Sequence, residues 1–440
     1  MTVLGQFFRL ASINILANLL VPLAGLIDTA FLGHLAEIRH LAGVALATVL
    51  FNYLYWTFGF LRMGTTGMTA QAIGRGDRDA AILIGLRHGI VALILGLIIV
   101  LLQVPLRDIG FTLLQATPAV KAAGQSFYNA LIWGAPATLI NFVLIGWFLG
   151  RAQSDRVLLI TAVSSGVNIL LDYEFIVHLG WQSTGAGAAT AASQYLTLLV
   201  GIGLAGWELR SEAIHALTSQ LLDLGALGTI VTLNRDILIR TFALITTFAL
   251  FTNLSSLLGT VTLATNAILL QIVTLAAYFI DGLAFATESL AGVYQAQNAR
   301  QELTQLLRLG VRASVALGLA FALSFNLLAG PLFGLLTPDS SVRSQLQTFV
   351  PWLLPVLGFG AIAFLLDGYF LGLTAGQVLR QSTVLSAGIG FAPAALVAWL
   401  THNNHVLWLA LAGFMTVRAI TLALAVQRSQ PRDPEAHQAG

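Results

Sequence analysis

Asp28 stands in VPLAGLIDTAFLGHL, residues 21–35, a run that otherwise reads as lipid-soluble helix. An ionised carboxylate at the centre of a bilayer costs from about 2.5 to more than 10 kcal/mol, so such a side chain needs a task or a partner. Asn168 and Asp172, in NILLDYEF, are four residues apart and share a helix face. They offer hard oxygen ligands, suited to a proton or a sodium ion rather than to a transition metal. If Asp28 faces the same cavity, two carboxylates compete for charge, and one of them is driven to hold a proton by burial and by its neighbour. Such a pair can load a cation on one side of a membrane and release it on the other; the plainer alternative is a structural hydrogen bond between helices. Asn14, Asn18, Gly25 and Asp28 fall within an arc of roughly 100° on a helix, which gives this segment one polar stripe that must face protein or water. Pro22 removes a backbone hydrogen bond back to Asn18, one turn before the carboxylate, and makes either a bendable switch or a packing kink.

Further acids lie in apolar runs of the second half. Asp281 and Glu288 are seven residues apart on one face, about 10 Å along a helix. Asp367 sits in LLDGYFLG, where the corresponding stretch of the first half has Ile145. Arg62, in GFLRMGTTG, reads as the only cation inside the spans away from their ends, and the cost of an unpaired arginine makes it a counter-ion to one of these acids. Glu288 reads as a gate or as a solvated group near the cytoplasmic end, and Glu174 as solvated near the outer end. His34, His40, His88, His178, His402 and His405 fall mostly at span ends, where interfacial anchoring is the default. GRGD at 74–77 lacks the preceding strand that a phosphate-binding loop requires. No Ser/His/Asp set or metal cluster is placed by spacing, so nothing argues for an enzyme or a cofactor.

These residues must be positioned by membrane helices. Of 440 residues, 57% are hydrophobic and only 9% charged, and the mean hydropathy is +0.85. Soluble proteins carry about 25% charged residues. There is no cysteine, which removes disulfides and thiolate metal sites, and a net charge of +2 gives no reason to expect nucleic acid as a partner. Runs of about 20 apolar residues fall near 10–34, 41–63, 81–104, 122–149, 157–179, 185–208, 235–259, 262–291, 310–336, 344–373, 379–400 and 405–427. The first of them carries Pro22 and Asp28 with no small-residue cleavage site after it, and reads as a retained span rather than a signal peptide. Placing the N-terminus in the cytoplasm puts Arg9, Arg75, Arg78, Arg87, Arg151, Arg156, Arg210, Arg235, Arg240, Arg300, Arg308, Arg312, Arg380, Arg428 and Arg432 inside. It leaves only Arg39, Arg107, Lys121 and Arg343 outside, which orients both termini inward.

The expected organisation is an N-lobe at 1–208, a cytoplasmic linker at 209–234, a C-lobe at 235–427 and a cytoplasmic tail at 428–440. The linker, with Glu212, His215, Gln220 and Asp223 in an amphipathic pattern, reads as an interfacial helix. The two halves resemble each other: GWFLG (146–150) and GYFLG (368–372), LAGVALA (41–47) and LATNAIL (263–269), and GTTGMTA (64–70) and ATESLAG (286–292) all align at an offset of 222 residues. Parallel repeats of this kind mark transporters with a central site.

The stretches VPLAGLIDTAFLGHL, FLRMGTTGMTAQAIGRGD, LNRDILIR, YFIDGLAFATES and LLDGYFLG, spread in order over nearly all of residues 9–427, resemble the multidrug and toxic compound extrusion (MATE) family and its branch of DNA-damage-inducible proteins F. The resemblance implies an all-α integral membrane protein of twelve transmembrane helices, in two pseudo-symmetric six-helix lobes that form a V around a central cleft. It implies export of cationic or amphipathic compounds in exchange for protons or sodium ions. It places Asp28 on the family's first-helix aspartate, Asn168 and Asp172 on its fifth-helix pair, Thr190 on a sixth-helix hydroxyl of the same ion site, and Asp367 on a tenth-helix acid used by some members. A departure is Val21, where several relatives have a polar side chain.

The expected protein is therefore a monomeric antiporter of the bacterial inner membrane, with a proton or sodium ion at Asp28, Asn168, Asp172 and Thr190 and with Pro22 bending the first helix. Arg62, Asp281, Glu288 and Asp367 are its further cleft acids and their counter-ion. The rivals are a flippase for lipids or lipid-linked precursors, whose anionic cargo calls for arginines where only Arg62 is offered, and a channel or non-transporting scaffold.

Overall fold

A computed structural model describes residues 2–35, 37–209, 220–221 and 223–429. Among these residues the chain is helical, with no strand. Twelve helices are long and apolar enough to cross a membrane: α1 Val3–Gly33, α2 Ile38–Gly74, α3 Arg78–Leu101, α4 Pro118–Gly150, α5 Ser154–His178, α6 Gln182–Leu209, α7 Gly225–Leu257, α8 Thr260–Ala296, α9 Arg300–Leu327, α10 Ser340–Gly372, α11 Gly376–Thr401 and α12 Asn404–Arg428. Local chemistry sets the ends. Thr2 Oγ1 accepts from the Gly5 amide at 3.3 Å to cap α1, and Asp77 Oδ1 accepts from the Ala80 amide at 2.9 Å to cap α3. Gly76, Gly180 and Gly259, with φ of 74°, 67° and 109°, supply left-handed turns between spans.

Every span of the second half begins 222 residues after its counterpart: Gly225 after Val3, Thr260 after Ile38, Arg300 after Arg78, Ser340 after Pro118, Gly376 after Ser154 and Asn404 after Gln182. The matching glycine motifs have a shared packing reason. A Cβ at Gly146 would strike the Arg62 carbonyl and one at Gly150 the Thr66 carbonyl, so α4 lies backbone to backbone against α2. Exactly 222 positions on, Gly368 meets the Ala284 carbonyl and Gly372 the Glu288 carbonyl, laying α10 against α8 in the same way.

The linker expected at 209–234 is helical from Gly225 onward. Its residues 210–219 and 222 lie outside the described residues, as does the tail from 430 onward. Helix α7 already begins at Gly225, because LGALGTIVTL is apolar and runs on unbroken through Asn234, Arg235 and Asp236. Arg87, counted above as a loop charge, is 8% exposed and donates to the carbonyls of Gln220 (2.7 Å) and Leu221 (3.3 Å).

The chain divides into two compact units. The first comprises Met1–Leu238, Phe285–Leu306 and Leu371–Thr374. Within it, close approaches of Gly74 to Val293 and of Gly292 to Ala70 hold the end of α8. The second comprises Ile239–Ala284, Leu307–Phe370 and Ala375–Gly440. Its core packs Phe251, Phe333, Phe349, Trp408 and Phe414 around a closed polar knot. There Asn266 donates to Ser255 Oγ (2.8 Å) and Asn404 Oδ1 (2.7 Å) and accepts from Asn404 Nδ2 (3.1 Å) and Trp408 Nε1 (2.9 Å).

Candidate functional site

Within the first unit, α1 packs along α5 and α5 along α6. This brings Asp28, Asn168, Asp172 and Thr190 together. The carboxyl groups of Asp28 and Asp172 are within hydrogen-bonding reach of each other. Asn168 Nδ2 donates to Asp172 Oδ2 at 2.9 Å and reaches Thr190 Oγ1 at 3.4 Å. The Thr190 hydroxyl spends its own proton on the Ala186 carbonyl at 2.9 Å, which leaves its lone pairs toward the site. Asp172 is 1% exposed and Asn168 9%. One oxygen of each acid, Asp28 Oδ1 and Asp172 Oδ1, is closed off from solvent and accepts from no donor among the described residues. Two facing carboxylates with bare oxygens repel unless something positive sits between them. A proton or an alkali cation carries the charge that would relieve this, and carboxylate, amide and hydroxyl oxygens suit both.

Asp172 closes the α-helical part of α5, and Tyr173–His178 continues as a wider π-helical turn. Turns of this kind are frequent at functional sites. Glu174 lies on that turn and is half-buried, with Oε1 2.9 Å from His178 Nδ1. Helix α1 runs through Pro22 without interruption, and the Ser165 hydroxyl of α5 reaches the Leu20 carbonyl at 3.4 Å beside it. Val21 is 57% exposed.

The remaining candidates do not join this set. Arg62 pairs with Glu288 at 3.4 Å and lies 4.1 Å over the Phe285 ring, so its counter-ion is Glu288. Glu288 is fully buried, which removes the reading of a solvated group; it lies against the α2–α8 packing rather than at a water-facing end. Asp281 and Asp367 belong to the second unit. Asp367, 4% exposed, accepts from both Arg240 of α7 and Arg418 of α12, and Asp281 also acts electrostatically on Arg418.

Sequence reasoning misplaced these two arginines. Arg240, grouped above with the cytoplasmic-side charges, lies within α7 and is 6% exposed, turned inward onto Asp367. Arg418 was in neither charge group and is completely buried. Arg62 is thus one of several cations inside the spans. The signal for Arg418 was present, since a charge in the middle of an apolar run calls for a partner by the same rule that singled out Asp28. His88 was likewise read as an interfacial anchor and is fully buried in α3, with Nδ1 2.9 Å from the Ile84 carbonyl.

Among the described residues, twelve apolar helices in two sequence repeats, with two acids brought together inside the first unit, are the features of a repeat-built membrane transporter. The MatE family model matches residues 14–174 and 237–396, once in each half, and the chain belongs to this family of multidrug and toxic compound extrusion transporters. It is 34% identical over 426 residues to DNA damage-inducible protein F of Escherichia coli, covering 96% of this chain and 91% of that protein. It is 23% identical over 329 residues to the probable multidrug resistance protein NorM of Thermotoga maritima, covering 74% of this chain and 70% of that protein. A solved structure described as the outward-facing conformation of a multidrug resistance MATE family transporter superposes with a TM-score of 0.87 at 20% identity, covering 97% of this chain and 96% of the other.

Proposed function

We propose that the protein is a secondary active efflux antiporter, exchanging a cationic or amphipathic compound for protons or sodium ions by alternating access. The observation that carries this reading is the contact between Asp28 and Asp172 inside apolar helices, with Asn168 as fixed donor and Thr190 beside it. Binding one small cation between the acids removes their repulsion and lets α1 settle against α5. Releasing it restores the repulsion and favours a different arrangement of α1, for which Pro22 lowers the stiffness. The ion's differential affinity for the two arrangements is what couples it to transport. Membership of a multidrug transporter family and similarity to NorM support a small-molecule cargo. The arginine distribution supports a bacterial inner-membrane placement with both termini cytoplasmic.

The test is efflux of a fluorescent cation from proteoliposomes under an imposed pH gradient or an imposed sodium gradient, each alone. One gradient is expected to drive efflux in the wild type, and Asp28→Asn is expected to lower the gradient-driven part at least about tenfold, equivalent to about 1.4 kcal/mol of coupling. Full ion-driven efflux by Asp28→Asn would remove that acid from the mechanism.

A flippase for an anionic head group is the second reading, and the burial of Arg240 and Arg418 bears on it, since it adds cations the sequence had not offered. Both, however, are engaged with Asp367, and a cargo phosphate would have to displace that carboxylate. The antiporter is therefore favoured, and movement of a head-group-labelled lipid in the same vesicles distinguishes the two.

A further inference from the structure

On the outside of the first unit, a groove of about 320 Å³ runs along α6, lined by Val200, Gly203, Leu204 and Trp207 with Arg156 of α5 at its edge. The four α6 residues fall at i, i+3, i+4 and i+7, one continuous face of the helix. Gly203 forms the opening: a Cβ built there would meet nothing within 4 Å. The walls are aliphatic and aromatic, and the rim holds a 67%-exposed Trp207 beside a partly exposed Arg156. This is the arrangement of an interfacial belt, an indole at head-group depth next to a cation.

The charge at the rim is available. Arg156 meets Glu208 at 3.5 Å and Asp155 at 3.8 Å, in both cases through Nε. Glu208 has nearer partners in Arg151 and Gln153, each at 3.0 Å. Arg156 thus keeps only these longer contacts and a side chain 37% exposed, and its guanidinium has the planar fork that matches a phosphate. Basic positions between membrane helices at head-group level are recognised by acidic lipids.

We propose that this groove is a binding site for an anionic phospholipid, with an acyl chain laid over Gly203 and Leu204 and the phosphate held by Arg156 beside Trp207. The inference does not depend on the transport reading. The occupant is an acidic lipid rather than a peptide because the apolar floor is a single narrow helix face that ends in one cation, which suits one chain carrying one phosphate.

The full chain, purified in a mild detergent, is mixed with dioleoyl phosphatidylglycerol or with dioleoyl phosphatidylcholine, and retained lipid is counted by native mass spectrometry. The wild type is expected to keep the glycerol lipid over the choline lipid. Gly203→Leu fills the groove and is expected to lose retained phosphatidylglycerol at least about tenfold, a change of about 1.4 kcal/mol. Arg156→Gln is expected to keep lipid but to hold both kinds equally. Both variants keep the fold, because the side chain at 203 enters open space and Arg151 still holds Glu208 at 3.0 Å. Equal retention of the two lipids by the wild type, undiminished phosphatidylglycerol on Gly203→Leu, or an unchanged preference in Arg156→Gln would each overturn the proposal.

Discussion

At the scale of single residues, the buried acids Asp172 and Asp367 are held by different kinds of partner. Asp172 has an amide donor on one oxygen and the carboxyl group of Asp28 within hydrogen-bonding reach. Asp367 has two guanidiniums fixed upon it, so its charge is balanced by the protein itself. This gives Asp367 a structural task. Asp367→Asn takes from Arg240 and Arg418 the carboxylate they share, and truncating one side of a buried ion pair costs about 3–5 kcal/mol. The expected outcome is a markedly lower melting temperature of the purified protein, with ion-driven efflux per folded molecule retained; loss of coupling in a protein of normal stability would place Asp367 in the ion pathway instead. Asp28 was legible in the sequence because one charge in a long apolar run violates composition. Its link to Asp172 was legible only as a condition, since 144 residues separate them and only the packing of α1 on α5 brings them together. The pairing of Arg62 with Glu288 and of Arg240 and Arg418 with Asp367 was not legible, because ion-pair partners on different helices carry no local pattern.

At the scale of helices, the number and order of spans were readable because apolar length is a local property, whereas their ends were not. Helix α2 continues to Gly74 rather than stopping near residue 63, carrying the polar stretch GTTGMTAQAIG that hydropathy assigns to a loop. It stays helical because Thr65 and Thr66 return their hydroxyl protons to the carbonyls of Leu61 and Arg62, at 2.6 and 2.9 Å, and because α4 covers it closely. The glycine motif that served only as a repeat marker is the reason for that cover. Gly150→Leu drives a side chain into the Thr66 carbonyl and Thr69, and overpacking of this kind costs about 1–3 kcal/mol or more; a thermal melt is expected to fall, and an unchanged melt would mean that α4 can withdraw from α2 freely. Pro22→Ala restores an amide that can bond the Asn18 carbonyl. One added helical bond of about 0.5–1.5 kcal/mol is expected to slow turnover about two- to tenfold while equilibrium binding of the coupling ion persists. Unaltered turnover would reduce Pro22 to a matter of packing.

At the scale of the whole molecule, the absence of cysteine makes the orientation directly measurable. A single cysteine placed at Gln182, the first residue of α6, is expected to react with an impermeant maleimide from outside intact cells, and one placed at Asn298, between α8 and α9, only after the cells are opened. The reverse pattern would invert the topology. The constant spacing of 222 residues between corresponding span starts has a consequence for origin. Six crossings return a polypeptide to the side from which it set out, so the second copy enters the bilayer in the same sense as the first. A six-crossing ancestor could therefore be fused head to tail in one genetic event with neither copy having to turn over. The span starts have stayed in step while the side chains diverged: the first half places Asp28 and Asp172 side by side, and in the second Arg240 and Arg418 both donate to Asp367.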